Sequence, residues 1–320
     1  MRIVVAGAGA FGTGMAIALA NGGADVTLLG RDEQAMKAAQ RSRTLPRPEG
    51  CVLPERLILT ADPNVMRDAA IVLLCVPAQA LAQFLDDHRI SLEHPALVAC
   101  CKGIDLRTLT GPTGVISSAI GGQSPSILTG PSFAADIAKG LPTALTLACA
   151  DPALGARLQD ALSTPTLRLY RSEDPLGAEL GGALKNVVAI ACGACIGAGL
   201  GDSARAALMT RGFSEMQRIA GRLGAQPETL TGLSGLGDLA LTCTSDLSRN
   251  YRYGMSIGSG TAPDENTTVE GRHTARAIAQ LARQINIDLP VMAAVDGLVD
   301  GRITVARAMD QLLARPLRAE

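Results

Sequence analysis

The stretch that decides the fold is Arg2-Ile-Val-Val-Ala6-Gly7-Ala-Gly9-Ala-Phe-Gly12, which a helical segment and then Asp25-Val-Thr-Leu-Leu29 follow. This order of strand, GxGxxG, helix and strand is typical of a βαβ unit that binds a dinucleotide. The first glycine permits a tight turn, the second lets the backbone approach a pyrophosphate, and the third lets the helix pack on the strand. The pattern therefore predicts that Gly7, Gly9 and Gly12 hold a dinucleotide, and a purely structural glycine turn is the alternative.

The end of the second strand bears on the choice between NAD and NADP. An NAD-preferring site usually places a carboxylate there to bind the ribose hydroxyls, whereas Gly30 and Arg31 come first in this chain. Arg31 can accept a 2′-phosphate, which favours NADP or the use of both cofactors. Asp32 is expected to cap the next helix.

Further strands and helices alternate along the first half, which predicts a parallel, doubly wound sheet of the Rossmann type. These predicted strands cover residues 57–60, 71–76, 96–100, 126–128 and 143–148. From about Asp174 onward only helices are predicted, at residues 176–198, 204–223, 235–242, 273–284, 291–300 and 303–313. We therefore expect a dinucleotide-binding domain at residues 1–175 and an all-helical substrate-binding and catalytic domain at residues 176–320.

Composition argues against several classes of function. The net charge is −1, aromatic residues make up 2% and Trp is absent, so neither a nucleic-acid surface nor an aromatic stacking platform is expected. The eight scattered cysteines predict free thiols in a reducing, cytoplasmic setting and no metal site. Glycines interrupt the apolar runs at residues 3–24 and 187–201, so neither a signal peptide nor stable membrane insertion is expected.

Two predicted strands of the first half end in residues suited to a ligand. Lys102 and Gly103 follow one of them, and Gly130-Pro131-Ser132 follows another. Ligands of doubly wound sheets bind beyond the carboxyl ends of the strands. Lys102 brings positive charge to that edge and the Gly-Pro-Ser turn presents backbone amides, although Lys102 can also be an ordinary surface lysine.

The second half contains a lysine in an apolar helix. Lys185 is the only charged side chain between Glu179 and Asp202, and burial of an ammonium group is costly unless the group is paired. Together with Asn186 it can bind or protonate a substrate oxygen. The alternative is that Lys185 snorkels to water from an ordinary core helix.

Asp238 is the candidate partner of Lys185, across the interface between the two domains. It lies in a largely apolar segment, with Thr242 one helical turn later on the same face, and a helix N-cap is its alternative role. Farther along, Ser248-Arg249-Asn250 offers a guanidinium and an amide that suit a phosphate. The loop at residues 261–267 is predicted to cover the cofactor.

Seven segments occur in a fixed order: Gly7-Ala-Gly-Ala-Phe-Gly-Thr13, Lys102-Gly103, Gly130-Pro-Ser-Phe-Ala134, Leu184-Lys-Asn-Val187, Gly235-Leu-Gly-Asp-Leu239, Ser248-Arg-Asn250 and Val269-Glu-Gly271. Together they resemble the bacterial NAD(P)-dependent glycerol-3-phosphate dehydrogenase family over nearly the whole chain. The resemblance implies reversible reduction of dihydroxyacetone phosphate to sn-glycerol 3-phosphate for phospholipid synthesis, with NAD or NADP. It also implies a homodimer.

The resemblance further implies roles for individual residues. Lys185 gives or takes the proton at the substrate oxygen, and Asp238 and Lys102 are the other catalytic residues. The implied substrate ligands are Lys102, Gly130, Ser132, Lys185, Asn186, Asp238, Thr242, Ser248, Arg249 and Asn250. The implied cofactor ligands, besides the glycines of the turn, are Ala10, Phe11, Arg31, Lys102, Ala134, Arg249, Thr268 and Glu270.

The chain departs from the family pattern in two places. The connection at residues 254–268 is shorter than the family's usual helix-containing one, and Thr44-Leu45-Pro46 lacks the Asn and Tyr that often precede the Leu-Pro pair.

Two other functions remain open on the residues alone. One is a reductase of the β-hydroxyacid or ketopantoate type, and the other is a catalytically silent NADP-binding sensor.

Overall fold

The structure is a computed structural model that describes residues 1–122, 124–264 and 267–314. The chain divides into two compact units. The first comprises Met1–Lys102 and Thr110–Glu179, and the second comprises Gly103–Leu109 and Leu180–Glu320. The domain boundary expected between residues 175 and 176 stays a prediction.

The first unit is built on one eight-stranded sheet in the order β3-β2-β1-β4-β5-β6-β7-β8. All neighbouring strands are parallel except β6 and β7. The Rossmann-type architecture is thus confirmed. The strands are β1 (Arg2–Ala6), β2 (Asp25–Leu29), β3 (Ile58–Thr60), β4 (Ile71–Leu74), β5 (Ala96–Ala99), β6 (Ser126–Thr129), β7 (Thr143–Ala148) and β8 (Leu167–Ser172).

Two features of this sheet differ from the prediction. The wholly parallel sheet is wrong at β6 and β7, because the connection between them contains only a five-residue helix instead of a long crossover helix. Strand β8 has no predicted counterpart. It lies at the edge of the sheet, where Leu167 and Leu169 are buried but Arg168 and Tyr170 are exposed, so it lacks the apolar run of a central strand.

Both faces of the sheet are covered, which explains why its central strands are apolar throughout. In β1, Ile3 and Val5 belong to one hydrophobic cluster, whereas Val4 and Ala6 belong to another. Because successive side chains of a strand point to opposite faces, the two clusters lie on opposite sides of the sheet. The helices of this unit are α1 (Ala10–Asn21), α2 (Glu33–Ser42), α3 (Leu81–His88), α4 (Pro112–Ala119), α5 (Ala134–Ala138) and α6 (Pro152–Leu162).

The described part of the second unit contains helices and no strands, and residues 180–314 are mainly helical as predicted. Its regular elements are α7 (Pro175–Gly197), which begins in the first unit, and α8 (Gly201–Leu223), α9 (Pro227–Thr231), a π-helical turn (Leu233–Gly237), α10 (Asp238–Cys243), α11 (Arg249–Ser259), α12 (Glu270–Gln284), α13 (Pro290–Val299) and α14 (Val305–Leu313). Helices α9 and α11 have no predicted counterpart. The sequence of α11 contains two glycines and two serines, whose low helix propensity hides a helix that tertiary packing stabilises.

Helices α7 and α11 pack with their backbones in direct contact. Gly193 and Gly197 on α7 face α11, and Gly254 and Gly258 on α11 face α7; a Cβ at any of them would overlap a carbonyl oxygen of the opposite helix. Each helix thus carries two glycines four residues apart, a spacing that puts both on one face. This crossing brings the start of α11 beside the middle of α7.

Helix α7 is the one helix among the described residues that is long and apolar enough, by length and composition, to cross a membrane. The mean hydropathy of its most apolar window is 1.6, but 89% of that window is buried inside the protein. This burial is the pattern of a core helix in a soluble protein.

Candidate active site

The glycine-rich turn joins β1 to α1. Gly7 has φ of +119°, and a Cβ there would lie 2.7 Å from the carbonyl oxygen of Cys75, so the position requires glycine. Gly9 is the N-cap of α1, and no side chain among the described residues caps it or comes within 4 Å of where its Cβ would be. The first N–H groups of a helix lack intrahelical acceptors, so this open turn fits the pyrophosphate of NAD or NADP.

Arg31 and Ala134 lie on elements that adjoin the glycine-rich turn. Helix α5 begins at Ala134 and packs closely on α1, where a Cβ at Gly14 would lie 2.7 Å from the Ala134 carbonyl oxygen. Arg31 is exposed just beyond the carboxyl end of β2. Asp32 accepts a hydrogen bond of 2.9 Å from the backbone N–H of Ala35, which confirms its predicted role as the cap of α2.

Lys102, Gly130 and Ser132 come together in the first unit. The ammonium group of Lys102 donates to the carbonyl oxygen of Gly130 at 3.0 Å, and the Ser132 hydroxyl donates to the same oxygen at 3.3 Å. These residues follow β5 and β6, which are neighbours in the sheet. They form a polar cluster at the carboxyl edge of the sheet, where α/β proteins bind ligands.

Lys185 forms a buried ion pair with Asp238. The ammonium nitrogen lies 2.5 Å from Asp238 Oδ1 and 2.8 Å from the Thr242 hydroxyl, to which it also donates. Lys185 is 6% exposed and Asp238 is fully buried. Lys185 therefore does not snorkel to water, and the Asp238 side chain contacts Lys185 instead of acting only as a cap. Both residues belong to the second unit, so the expectation of a pair across a domain interface is wrong.

Cys243, a buried thiol whose pKa both members of this ion pair influence, contributes no charge. A hydrogen bond with Cys192 and burial raise the pKa of Cys243 well above its ordinary value, so this thiol stays protonated near neutral pH. All eight cysteines are free thiols, and Cys192 and Cys195 are core residues. Among the described residues no group of three or more His, Cys, Asp or Glu side chains could hold a metal ion.

The side-chain amide of Asn250 links α11 to two other helices. Its nitrogen donates to Asn186 Oδ1 on α7 at 2.9 Å, and its oxygen accepts from the backbone N–H of Gly271 on α12 at 3.0 Å. Ser248 caps α11 by accepting from the Tyr251 N–H at 3.2 Å. Arg249, the first residue of α11, is exposed.

Thr268 and Glu270 lie at the start of α12, where Glu270 is the first residue of the helix. Two residues of the predicted cofactor cover, Glu265 and Asn266, lie outside the described residues. Individual roles for Gly271 and for the glycines of the α7 and α11 crossing were not predicted from the sequence. The four-residue spacing of Gly193 with Gly197, and of Gly254 with Gly258, is the signal that could have revealed the crossing.

Comparisons with known proteins agree across both halves of the chain. Residues 2–155 match the profile of the NAD-dependent glycerol-3-phosphate dehydrogenase N-terminus, and residues 174–310 match that of the C-terminus. The chain belongs to the NAD-dependent glycerol-3-phosphate dehydrogenase family. Its relatives in this family include glycerol-3-phosphate dehydrogenases [NAD(P)+] of Cereibacter sphaeroides, 58% identical over 99% of this chain and 100% of the relative, and of Paracoccus denitrificans, 55% identical over the full length of both.

Solved structures of the family share the same fold. A glycerol-3-phosphate dehydrogenase from Coxiella burnetii is 32% identical and superposes with a TM-score of 0.91 over 98% of this chain and 99% of the other. A ketopantoate reductase from Ralstonia eutropha is 15% identical, with a TM-score of 0.62 over 98% of this chain and 100% of its own. The second likeness extends to the fold alone, so family membership favours glycerol-3-phosphate dehydrogenase over the ketopantoate alternative and over a silent sensor.

Proposed function

We propose that Lys185 transfers the proton in the reaction of this enzyme, the reversible reduction of dihydroxyacetone phosphate to sn-glycerol 3-phosphate with NADH or NADPH. The reaction, its part in phospholipid synthesis and the cofactor follow from the family to which the chain belongs. The assignment to Lys185 rests on one observation, a buried ammonium group held by a carboxylate and a hydroxyl.

The geometry around Lys185 suits an acid–base group. Asp238 and Thr242 accept hydrogen bonds from the Lys185 ammonium group and thereby fix its position. When bound, NADH or NADPH would supply the hydride to the carbonyl carbon. As negative charge develops on the carbonyl oxygen, Lys185 donates its proton, and in the reverse direction it removes the proton from the hydroxyl. Such general acid catalysis is worth about a hundred- to ten-thousand-fold in rate.

The substrate's phosphate is proposed to bind at the start of α11. Arg249 supplies a guanidinium that can make paired hydrogen bonds to phosphate oxygens. The second N–H of the Asn250 amide, the one that does not point to Asn186, is a further donor. Lys102 and Ser132 are proposed as additional polar contacts for the substrate, with Lys102 shared with the cofactor.

The cofactor is proposed to bind the amides of residues 10–12, with Phe11 and Ala134 beside it and Arg31 at the adenosine ribose. Arg31 favours NADP over NAD because a guanidinium binds a 2′-phosphate better than two hydroxyls. Thr268, Glu270 and Arg249 are proposed as further cofactor ligands. The free cysteines also lead us to expect a cytoplasmic location. The family resemblance leads us to expect a homodimer, which size-exclusion chromatography with light scattering can check.

The decrease of NADPH absorbance on addition of dihydroxyacetone phosphate tests the function directly. We expect oxidation that depends on both compounds, and a much lower kcat/KM for dihydroxyacetone, which lacks the phosphate whose binding orients the ketone. If NADPH binds but saturating dihydroxyacetone phosphate causes no oxidation, the assignment fails. Comparable turnover of dihydroxyacetone would overturn the proposed phosphate site.

A further inference from the structure

The proposed acid–base residue and the proposed phosphate-binding arginine are each followed in the chain by an asparagine. Asn186 follows Lys185 on α7, and Asn250 follows Arg249 on α11. The hydrogen bond of 2.9 Å between these two asparagines therefore joins the backbone beside Lys185 to the backbone beside Arg249. Asn186 is 5% exposed, so water competes little for this bond.

Helix α12 also contacts the asparagine pair. Gly271 lies in the first turn of α12, and its backbone N–H donates to the Asn250 oxygen at 3.0 Å. A Cβ on Gly271 would lie 2.7 Å from the backbone oxygen of Asn186 and 2.8 Å from Asn250 Oδ1. Both distances are shorter than real Cβ contacts, so any side chain at this position must push the two asparagines away.

Dihydroxyacetone phosphate joins its carbonyl carbon to its phosphate through one methylene group and one ester oxygen, so the distance between the carbonyl oxygen and the phosphate is confined to a short range. An enzyme that binds both groups gains rate only when its own two sites are held at the matching distance, because small displacements of a reacting geometry are costly. The asparagine pair is a direct polar connection between the helices that carry these sites, and Gly271 allows α12 to approach it.

We propose that Asn186, Asn250 and Gly271 form a positioning relay that holds the phosphate site of α11 at a fixed distance from Lys185. The proposal rests on the function proposed above. Asn186 and Gly271 act through Asn250 and are positioning residues, whereas Asn250 both positions and binds. The relay matters only to a substrate that occupies both sites at once, and this property makes it testable.

The test compares kcat/KM for dihydroxyacetone phosphate with kcat/KM for dihydroxyacetone in the wild type and in Gly271→Ala. Because the methyl group displaces both asparagines, we expect the value for the phosphorylated ketone to fall about a hundredfold and that for dihydroxyacetone to fall less than about threefold. Asn186→Ala removes the acceptor without adding bulk, and it should lower the ratio in the same direction. This second variant keeps the proposal testable if Gly271→Ala does not fold.

Gly221→Ala is the matched control, because a Cβ at Gly221 of α8 meets no described atom within 4 Å. It should leave both values and their ratio unchanged. If Gly271→Ala and Asn186→Ala lower kcat/KM equally for both substrates, or lower it for neither, the residues support only the fold and the relay is wrong. If the wild type does not turn over dihydroxyacetone phosphate, the proposed function fails first and the relay fails with it.

Discussion

Glu179 accepts two hydrogen bonds from Thr113, one from the backbone N–H at 2.9 Å and one from the hydroxyl at 2.6 Å. The carboxyl group thereby satisfies the start of α4, whose N-cap, Gly111, has no side chain to do so. Burial raises the pKa of Glu179 to about 7, the negative charge of Asp174 adds to the rise, and the two bonds from Thr113 oppose it.

This raised pKa predicts a pH-dependent stability. The ordinary pKa is 4.5, so between that value and about 7 the folded protein holds a proton that the unfolded chain releases. The stabilisation that protonated Glu179 contributes to the folded protein is fully present below about pH 4.5 and is lost as the pH rises through about 7. This loss lowers the free energy of unfolding by about 3 kcal/mol. Glu179→Gln does not titrate, so we expect its urea-unfolding free energy to gain this amount relative to wild type between about pH 5 and pH 8.

Glu33→Gln, which changes an exposed glutamate, is the control for this measurement. Its difference from wild type should stay nearly constant over the same range. Parallel pH curves for wild type and Glu179→Gln would contradict the raised pKa. Glu215 accepts from the backbone N–H groups of Val291 and Met292, and burial likewise raises its pKa to about 7. The free energy of unfolding of Glu179→Gln should therefore still fall with rising pH, although less steeply than that of the wild type.

Catalysis and stability at the buried ion pair can be separated. Lys185→Met should lower kcat by about a hundred- to ten-thousand-fold while the dissociation constant of NADPH changes little. It should also lower the free energy of unfolding by about 3–5 kcal/mol, since Asp238 keeps a buried charge without its cation. Adding Asp238→Leu should restore much of the stability but none of the turnover, as urea unfolding and steady-state assays would measure. Near-normal turnover in Lys185→Met would contradict its role in proton transfer.

The close contact between α7 and α11 predicts that a side chain added at one of its glycines destabilises the protein. A Cβ on Gly254 would overlap the carbonyl oxygen of Ile190, so Gly254→Ala should lower the free energy of unfolding by about 1–3 kcal/mol. Gly221→Ala has open space and should raise it by about 0.5–1 kcal/mol, because alanine loses less backbone entropy in a helix. Equal effects of the two substitutions in urea unfolding would mean that the helices can separate without cost.

We expect Arg31 to determine the preference for NADPH over NADH. A charge-assisted contact to the 2′-phosphate is worth about 1.5–3 kcal/mol, so Arg31→Ala should raise KM for NADPH roughly ten- to a hundredfold. KM for NADH, which lacks that phosphate, should change little and provides the internal control. An unchanged ratio of the two constants would reject Arg31 as the determinant.

The part of the molecule that the sequence predicts best is the part built from local rules. Strands β1 and β2 have the predicted bounds, because an apolar strand, a glycine turn and a helix start each have local signatures. Asp32 caps a helical segment as predicted, and Asp62, Asp151 and Asp174 cap others in the same way. Helix α11 and the edge strand β8 escape prediction, because their stability comes from packing and their own residues have weak propensities.

The sequence by itself determined the dinucleotide turn, the division into an α/β half and a helical half, and the family to which the chain belongs, since these depend on residue types at short or fixed spacings. Only the tertiary structure decided how the polar side chains meet. Lys185 and Asp238 are 53 positions apart along the chain and lie 2.5 Å from each other, and Asn250 contacts Asn186 and Gly271 from a helix that propensity does not predict. These contacts depend on how closely the helices approach each other. The spacing of the glycines places them on one face of each helix, but only the tertiary structure decided which helix that face contacts.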